Sequence, residues 1–303
     1  MKMNVSRLLR RKTAWAIGIY RQDRVTLPPE GQPSLLMQSR KLVRGPRHIH
    51  TRADPFLHVQ DDRLYVLYET QSADDYGKIE AAQIVGDKLV SLGLILEEPF
   101  HLSYPAIFEH DEIVYLMPEC QESGELRLYR FDEFPRRPVF VRTLMTGKFA
   151  DPSPYMVGET LFIFATTSNG LELFYTDDWI DGQLQAHPMN PIVTGARSER
   201  CGGTPFLIDG VLVRPAQNCQ NLYGENLGLM RIEQLTKETY SETPYRSDIF
   251  KKDLPWNKEG GHHVSVAAYE DEVIVAVDGQ AYDYYFHKLV TRAWMMATRR
   301  RRG

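Results

Sequence analysis

A proline phrase returns at nearly constant spacing along this chain of 303 residues. It reads Asp54-Pro55-Phe56-Leu57, Tyr104-Pro105-Ala106-Ile107, Asp151-Pro152-Ser153-Pro154-Tyr155 and Thr204-Pro205-Phe206-Leu207, with a proline-free copy at His263-Val264-Ser265-Val266. The copies lie about 50 residues apart, the period of one blade in a radial β-repeat, so five of them predict an all-β, five-bladed β-propeller. A propeller sets equivalent residues of every blade around one central mouth. The repeat therefore marks where chemistry would gather.

Each copy opens a hairpin pattern. Phe56 to Val59 and Leu64 to Tyr68 flank Gln60-Asp61-Asp62-Arg63, and Ile107-Phe108 and Ile113 to Met117 flank Glu109-His110-Asp111-Glu112. Turns follow at Val157-Gly158-Glu159-Thr160, Asp209-Gly210 and Glu270-Asp271-Glu272. Acidic or glycine-containing turns between β-branched and aromatic runs are hairpin signals. Leu126 to Arg130 and Leu171 to Tyr175 add outer strands, and Ala14 to Arg21 reads as a strand that pairs with the last copy and closes the ring. Phe286, Leu289, Val290, Ala293, Trp294 and Ala297 fall at helical spacing, which predicts a short basic C-terminal helix over 284–298. The expected organisation is a basic tail (1–12), the propeller (13–281), and a basic amphipathic helix with an arginine tail (282–303).

Charge is unevenly spread. Lys2, Arg7, Arg10, Arg11 and Lys12 give the first twelve residues +5; Lys288, Arg292 and Arg299 to Arg302 against Asp283 give residues 282–303 another +5. With a total of −4, the body between them stands at −14. An acidic body argues against nucleic-acid binding. Basic ends suit an anionic membrane surface, reached here through 284–303, or they are simply solvated tails. Cys120, Cys201 and Cys219 are odd in number and lack metal-ligand spacing, which fits a reducing compartment. The apolar stretch from Ala14 to Tyr20 is short and lacks a small-residue cleavage site, and no run reaches membrane-spanning length. The expected location is cytoplasmic, at or near the inner face of the membrane.

In an antiparallel hairpin, the start of strand one and the end of strand two lie together. That rule pairs Asp54 with Glu69, Tyr104 with Glu119, Asp151 with Thr166 and His263 with Asp278, each 15 residues apart, and Thr204 with Gln217. All five pairs should face one mouth. A single Asp before Pro is most simply a turn opener. Asp54, Glu119 and Asp151 converging on one funnel point further, to a sugar or catalytic site, since carboxylates bind hydroxyls and serve as general acid or base when their pKa values are driven apart.

The fourth copy differs. Arg197, Arg200 and Arg214 surround Gly202-Gly203, with Gln217, Tyr223 and Glu225 nearby. Two readings stand: an anion clamp for a nucleotide-linked, phosphate-linked or acidic sugar, or ion pairs that neutralise the mouth carboxylates. His262 and His263 are adjacent, so one should face the mouth and the other should be buried. His101, just before the second copy, is placed to reach the mouth. No P-loop, Rossmann glycine pattern, nucleophile elbow or paired CxxC is present, and neither a metal nor a cofactor is expected.

Trp15-Ala16-Ile17-Gly18-Ile19-Tyr20, Ala53-Asp54-Pro55-Phe56, Glu97 to Pro105, Met117-Pro118-Glu119, Asp151-Pro152-Ser153, His187 to Val193 and Arg214 to Cys219 together resemble one known domain. It is the N-terminal propeller domain of plant glucosamine inositolphosphorylceramide transferases and their bacterial relatives. The resemblance covers residues 13–280 and implies glycoconjugate metabolism. In the plant proteins the recognised glycosyltransferase domain is a separate one. More distantly, Asp54, Asp151 and a fifth-blade His look like the layout of arabinanase- and xylosidase-type five-bladed glycosidases. There the first Asp is the general base, the third-blade Asp tunes the acid, and the acid is a Glu in a Glu-Gly-Pro setting. This chain has Gly202-Gly203-Thr204-Pro205 at that place, with Glu199 displaced, which argues against ordinary hydrolysis and leaves Glu119 as a substitute acid.

The expected function is therefore glycosyl transfer at the funnel in polysaccharide or glycolipid assembly. Asp54, Glu119 and Asp151 would be catalytic, with Glu69, His101, Tyr104, Arg197, Arg200, Arg214, Gln217, Tyr223, Glu225, His262 and His263 around the substrate. Two alternatives remain: a sugar-binding module that recruits a partner glycosyltransferase, and a glycosidase-like hydrolase.

Overall fold

The computed structural model describes residues 11–38, 49–72, 76–195 and 198–284. Strands β1 (Arg11–Gln22) and β2 (Leu35–Met37) come first in the chain but complete the last blade. Blade one is β3 (Ile49–Gln60), β4 (Arg63–Ser72), β5 (Lys78–Val85) and β6 (Lys88–Leu96). Blade two is β7 (Ser103–His110), β8 (Ile113–Glu119), β9 (Glu125–Glu133) and β10 (Arg136–Thr146). Blade three is β11 (Ala150–Val157), β12 (Thr160–Thr167), β13 (Gly170–Thr176) and the short β14 (Gln185–Ala186). In blade four the inner strand is split into β15 (Arg200–Cys201) and β16 (Phe206–Ile208), followed by β17 (Val211–Asn218), β18 (Asn226–Leu235) and β19 (Tyr240–Arg246). Blade five is β20 (Val264–Tyr269) and β21 (Glu272–Tyr284), joined by β1 and β2. The five-bladed propeller is as expected.

Ring closure is a long antiparallel ladder between β1 and β21, running from Arg11↔Tyr284 to Gln22↔Val273. The predicted strand over 14–21 sits inside it. Every blade opens with a two-residue hairpin turn, tighter than the sequence suggested, because the ladders continue up to Gln60↔Arg63, His110↔Ile113, Val157↔Thr160, Ile208↔Val211 and Tyr269↔Glu272. Asp61 and Asp62 (φ 50° and 54°), Asp111 and Glu112 (49° and 62°), and Asp209 and Gly210 (48° and 79°) have the left-handed backbone that matches the twist of the flanking strands.

The second strands of blades one to three (β4, β8 and β12) are buried on both faces, which is why they read as continuous apolar runs rather than as an alternating pattern. In β8, Val114 and Leu116 enter the core shared with blade one, while Tyr115 and Met117 enter the core shared with blade three. In β12, Leu161 and Ile163 face blade two, and Phe162 and Phe164 face blade four. One apolar cluster fills each of the five blade interfaces. A fully buried Leu or Ile contributes roughly 2 kcal/mol, so the stack of blades forms a rigid frame around the mouth. No helix of the described residues is long and apolar enough to cross a membrane. The helix expected over 284–298 and most of the tail at 1–12 lie outside the described residues, although Tyr284 itself ends β21.

Candidate functional site

The same local device recurs at the mouth of blades one, two and three. The strand register shifts between Ala53 and Phe56, between Ser103 and Ala106, and between Ala150 and Ser153. Each bulge contains a residue with left-handed backbone: Asp54 (φ 52°), Tyr104 (46°) and Asp151 (49°). The proline that follows has no amide to give the ladder, so the bulge is where it is tolerated. The ladder partners of Glu69, Glu119 and Thr166 are therefore Ala53, Ser103 and Ala150, one residue earlier than the 15-residue spacing implied. In blade four, Gln217 faces Arg200 rather than Thr204.

The bulges free backbone amides that lock each blade to its neighbour through a carboxylate. The Asp54 amide donates to Asp278 Oδ2 (3.3 Å), the Tyr104 amide to Asp54 Oδ2 (3.2 Å), and the Asp151 amide to Glu119 Oε2 (2.9 Å). Asp278 Oδ1 also accepts the amides of His262 (2.8 Å) and His263 (3.0 Å). A carboxylate at each of these seams organises the mouth; Asp54 and Glu119 also line the cavity, while Asp278 is buried behind it.

That cavity has a volume of about 210 Å³ and is lined by Asp54, Glu69, Glu119, Asp151, Arg200 and His262, with Trp15, Tyr223 and His101 on its wall. At about 30 Å³ per water this is the space of roughly seven waters, the scale of a single sugar ring. Trp15 stacks on the His262 imidazole (4.2 Å between centroids), and Tyr223 meets that imidazole edge-on (5.1 Å). Tyr223 is 52% exposed at the rim, an aromatic face available to a ligand.

The carboxyl groups are held in different protonation states. Burial raises the Asp54 pKa to about 7; His262 pulls it down, while Asp278 and Asp151 push it up. Burial and the neighbouring carboxylates hold Glu69 well above the usual range. Glu119 is also held well above it, by burial and by Asp151, against the pull of Arg200. Asp151 goes the other way: burial works against its charge, but the Arg200 guanidinium wins and keeps it ionised. Arg200 Nε donates to Asp151 Oδ2, while its Nη2 lies 3.4 Å from Asp151 Oδ1 and 3.5 Å from Glu119 Oε2. Gln217 Nε2 adds a 2.8 Å bond to Asp151 Oδ2. His262 loses charge stability to burial but regains more from Asp278, whose Oδ2 lies 2.6 Å from its Nδ1, and its pKa rises.

One trio among the described residues has metal-ligand spacing: Asp54, His262 and Asp278, with ligand atoms within 4.8 Å of one another. Within the trio, His262 Nδ1 lies 2.6 Å from Asp278 Oδ2 and 3.9 Å from Asp54 Oδ1.

Several expected site residues stand elsewhere. Arg214 is fully buried behind blade four, where Glu242 grips it at 2.6 and 2.9 Å and the Ser198 carbonyl accepts a further bond at 2.9 Å. It does not reach the cavity. Arg200 pairs with the mouth carboxylate Asp151, whereas Arg214 pairs with Glu242, which does not line the cavity; Arg197 lies outside the described residues. Both histidines are buried, and His263 is the one turned away from the cavity that His262 lines. It is wedged edge-on between the rings of Phe56 (4.6 Å) and Tyr104 (5.2 Å), and burial lowers its pKa to about 3. Tyr104 is buried below the mouth, with its hydroxyl 2.6 Å from Ser153 Oγ and accepting the Gly203 amide at 2.7 Å. Glu225 bonds Asn221 away from the cavity, and Glu199 turns to the Gly195 amide. Trp15 reads in the sequence only as part of a closing strand, yet it lines the mouth. Its position opposite Gln280, two residues past Asp278 on the neighbouring strand, is the signal that could have found it.

Comparison with known proteins agrees with this picture. Residues 37–280 match the family described as "Glucosamine inositolphosphorylceramide transferase 1, N-terminal". The chain is 36% identical over 244 residues to glucosamine inositolphosphorylceramide transferase 1 of Arabidopsis thaliana, covering 75% of this chain and 32% of that protein. It is also 36% identical over 228 residues to the protein of that name from Oryza sativa subsp. japonica, covering 70% of this chain and 30% of the relative. The chain thus spans about a third of the length of these curated relatives. Among solved structures, an alpha-L-arabinofuranosidase from Clostridium thermocellum superposes with a TM-score of 0.55 at 13% identity, covering 74% of this chain and 80% of that one; it shares the fold.

Proposed function

This chain belongs to the family of the N-terminal domain of glucosamine inositolphosphorylceramide transferase 1, and we propose that its propeller mouth binds the sugar of a glycoconjugate and handles the protons of a glycosyl transfer. The observation that carries this is one cavity walled by carboxyl groups in unlike protonation states. Glu119, kept neutral, is the proton donor. Asp54, poised near 7, is the proton acceptor, close to the value that serves a general base at neutral pH. Asp151, held ionised by Arg200 and Gln217, orients the ring and offsets positive charge growing at the anomeric carbon.

The substrate is a neutral or amino sugar. At the mouth Glu69 and Glu119 are held protonated and Asp151 is paired with Arg200, so the lining offers hydrogen-bonding groups suited to sugar hydroxyls. The relatives are named glucosamine inositolphosphorylceramide transferases, a name that carries both an amino sugar and a phosphoryl group.

Asp54→Asn and Asp151→Asn should each abolish turnover of nucleotide-sugar donors while leaving sugar binding in place. A broad donor and acceptor panel with no turnover, but with measurable sugar binding, would overturn catalysis at this mouth. That result would establish the second reading, a sugar-binding module serving a partner glycosyltransferase. A peripheral position at the inner membrane face, through 284–303, is part of the same proposal. Unchanged sedimentation with anionic vesicles after removal of those residues would sink it.

A further inference from the structure

Glu69 has no place in the proton scheme above, yet its position is unusual. The residue is 7% exposed, lines the cavity, and its carboxyl group receives no hydrogen bond from any described residue. Its closest polar partner is His101 Nε2, 3.5 Å from Oε1. A carboxyl group that lines the cavity with one long contact keeps hydrogen-bonding capacity for a ligand there.

His101 supplies the other half. The backbone amide of Gly77 donates to His101 Nδ1 at 3.0 Å. A nitrogen that accepts a hydrogen bond carries no proton, so the neutral ring holds its proton on Nε2. Burial lowers the pKa of this ring, in keeping with that neutral form. The arrangement is rigidly built. The Leu102 amide donates back to the Gly77 carbonyl at 3.0 Å, and the His101 amide donates to Glu122 Oε2 at 3.0 Å. A Cβ on Gly77 would meet the Leu102 carbonyl oxygen at 2.4 Å and the His101 ring at 2.6 Å, so this close strap accepts only glycine. Backbone groups outside the mouth thus hold the Nε2 donor of His101 beside the Glu69 carboxyl at the cavity wall.

We propose that Glu69 and His101 form a hydroxyl-recognition subsite, in which one ring hydroxyl of the bound sugar donates to Glu69 and the same or the adjacent hydroxyl accepts from His101 Nε2–H. The proposal rests on the mouth being a sugar site and adds which groups select the sugar. A site built to pair a hydroxyl discriminates strongly against an analogue that lacks it, because its buried groups are then left unpaired. Glu69 and His101 would therefore set specificity, while Asp54, Glu119 and Asp151 carry the chemistry.

The test uses the full chain and calorimetric titration with D-glucosamine, D-glucose, D-galactose, D-mannose, D-xylose and L-arabinose, followed by monodeoxy analogues of whichever binds. Removing one ring hydroxyl, or either of two adjacent ones, should weaken binding about tenfold or more, and removing the others should cost little. Glu69→Met, similar in size but without an acceptor, should show the same loss and should no longer distinguish the critical deoxy sugar from its parent. Glu69→Gln, which restores an acceptor, should recover most of the affinity; a packing role predicts no such rescue. His101→Asn keeps an acceptor for Gly77 but loses the Nε2 donor and should weaken binding, while His101→Gln, which places a donor near Nε2, should be the better tolerated. Nitrogen-15 shifts of His101 should report the Nε2–H form. If Glu69→Met and His101→Asn bind within twofold of the parent while a mouth variant such as Asp151→Ala loses the sugar, the subsite is refuted and the mouth stands. An Nδ1–H tautomer also refutes it. No binding to any sugar overturns both.

Discussion

Replacing Glu242 by Gln removes the counter-charge of a guanidinium that has no contact with water. Arg214 is 0% exposed at its side chain and Glu242 is 7% exposed, and two contacts of 2.6 and 2.9 Å join them. Tyr240 adds its hydroxyl to Glu242 Oε2 at 2.5 Å. The amide introduced by Glu242→Gln keeps an acceptor for Tyr240 but leaves Arg214 charged in a low-dielectric site. Breaking a buried pair in this way costs about 3–5 kcal/mol. With an unfolding entropy of about 2.1 cal/mol/K per residue, about 640 cal/mol/K for a chain of this length, the midpoint should fall by about 5–8 °C. Thermal unfolding at fixed scan rate and pH 7.5 measures it, with sugar binding followed in parallel. Adding Arg214→Met to Glu242→Gln removes the stranded charge and should recover at least half of the loss. Sugar affinity should stay within twofold throughout. A midpoint shift under 1 °C, together with a loss of sugar binding in Arg214→Met as large as in Asp151→Ala, would return Arg214 to the mouth and refute the buried-pair assignment.

Other outcomes follow from the same geometry. Asp54 has a folded pKa of about 7 against 3.8 for the free group, so the native state holds a proton the unfolded chain has lost, and stability falls as pH rises between about 4 and 7. Asp54→Asn should therefore raise the midpoint at pH 8 and change it little at pH 4; an equal effect at both would contradict the assignment. His263 works in the opposite sense: its pKa falls to about 3 from 6.5, so the unfolded chain gains a proton first and stability is lost as pH drops from about 6.5 toward 3. His263→Leu should flatten that acid limb, as measured by unfolding between pH 7 and 4. Gly203→Ala should prevent soluble accumulation, since φ is 135° and a Cβ would lie 2.1 Å from the Val264 carbonyl oxygen, whereas Gly158→Ala, in open space at φ 57°, should cost only about 1 kcal/mol. Matched midpoints for the two would sink the steric account.

The repeat was legible because blade formation is local. A turn, two apolar runs and an X-Pro opening lie within some 20 residues of one another, and ring closure by β1 needed only one further apolar run. The bulges were less legible. Asp54-Pro55, Tyr104-Pro105 and Asp151-Pro152 were visible as turn openers, but the left-handed backbone that shifts each register by one residue depends on the ladder on either side. Spacing alone therefore placed Asp54 opposite Glu69, where the sheet places Ala53. The two histidines show the same boundary. Strand alternation required one of them to turn away from the mouth, yet only the rings of Phe56 and Tyr104, arriving from two other blades, decided that it is His263.

The sequence by itself determined the five-bladed ring, the strand that closes it, and the gathering of Asp54, Glu69, Glu119 and Asp151 at one end, because these depend on the order and period of residues along the chain. Only the tertiary structure decided which charges meet. Arg200 and Arg214 sit 14 positions apart in blade four, yet one turns to a carboxylate from blade three at the mouth and the other to Glu242 in the core. Burial and Coulomb interactions act through space over a few ångströms, between groups 28 to 224 residues apart in the chain. Protonation states, and with them the division of labour among the mouth carboxylates, arise only once those side chains are brought together.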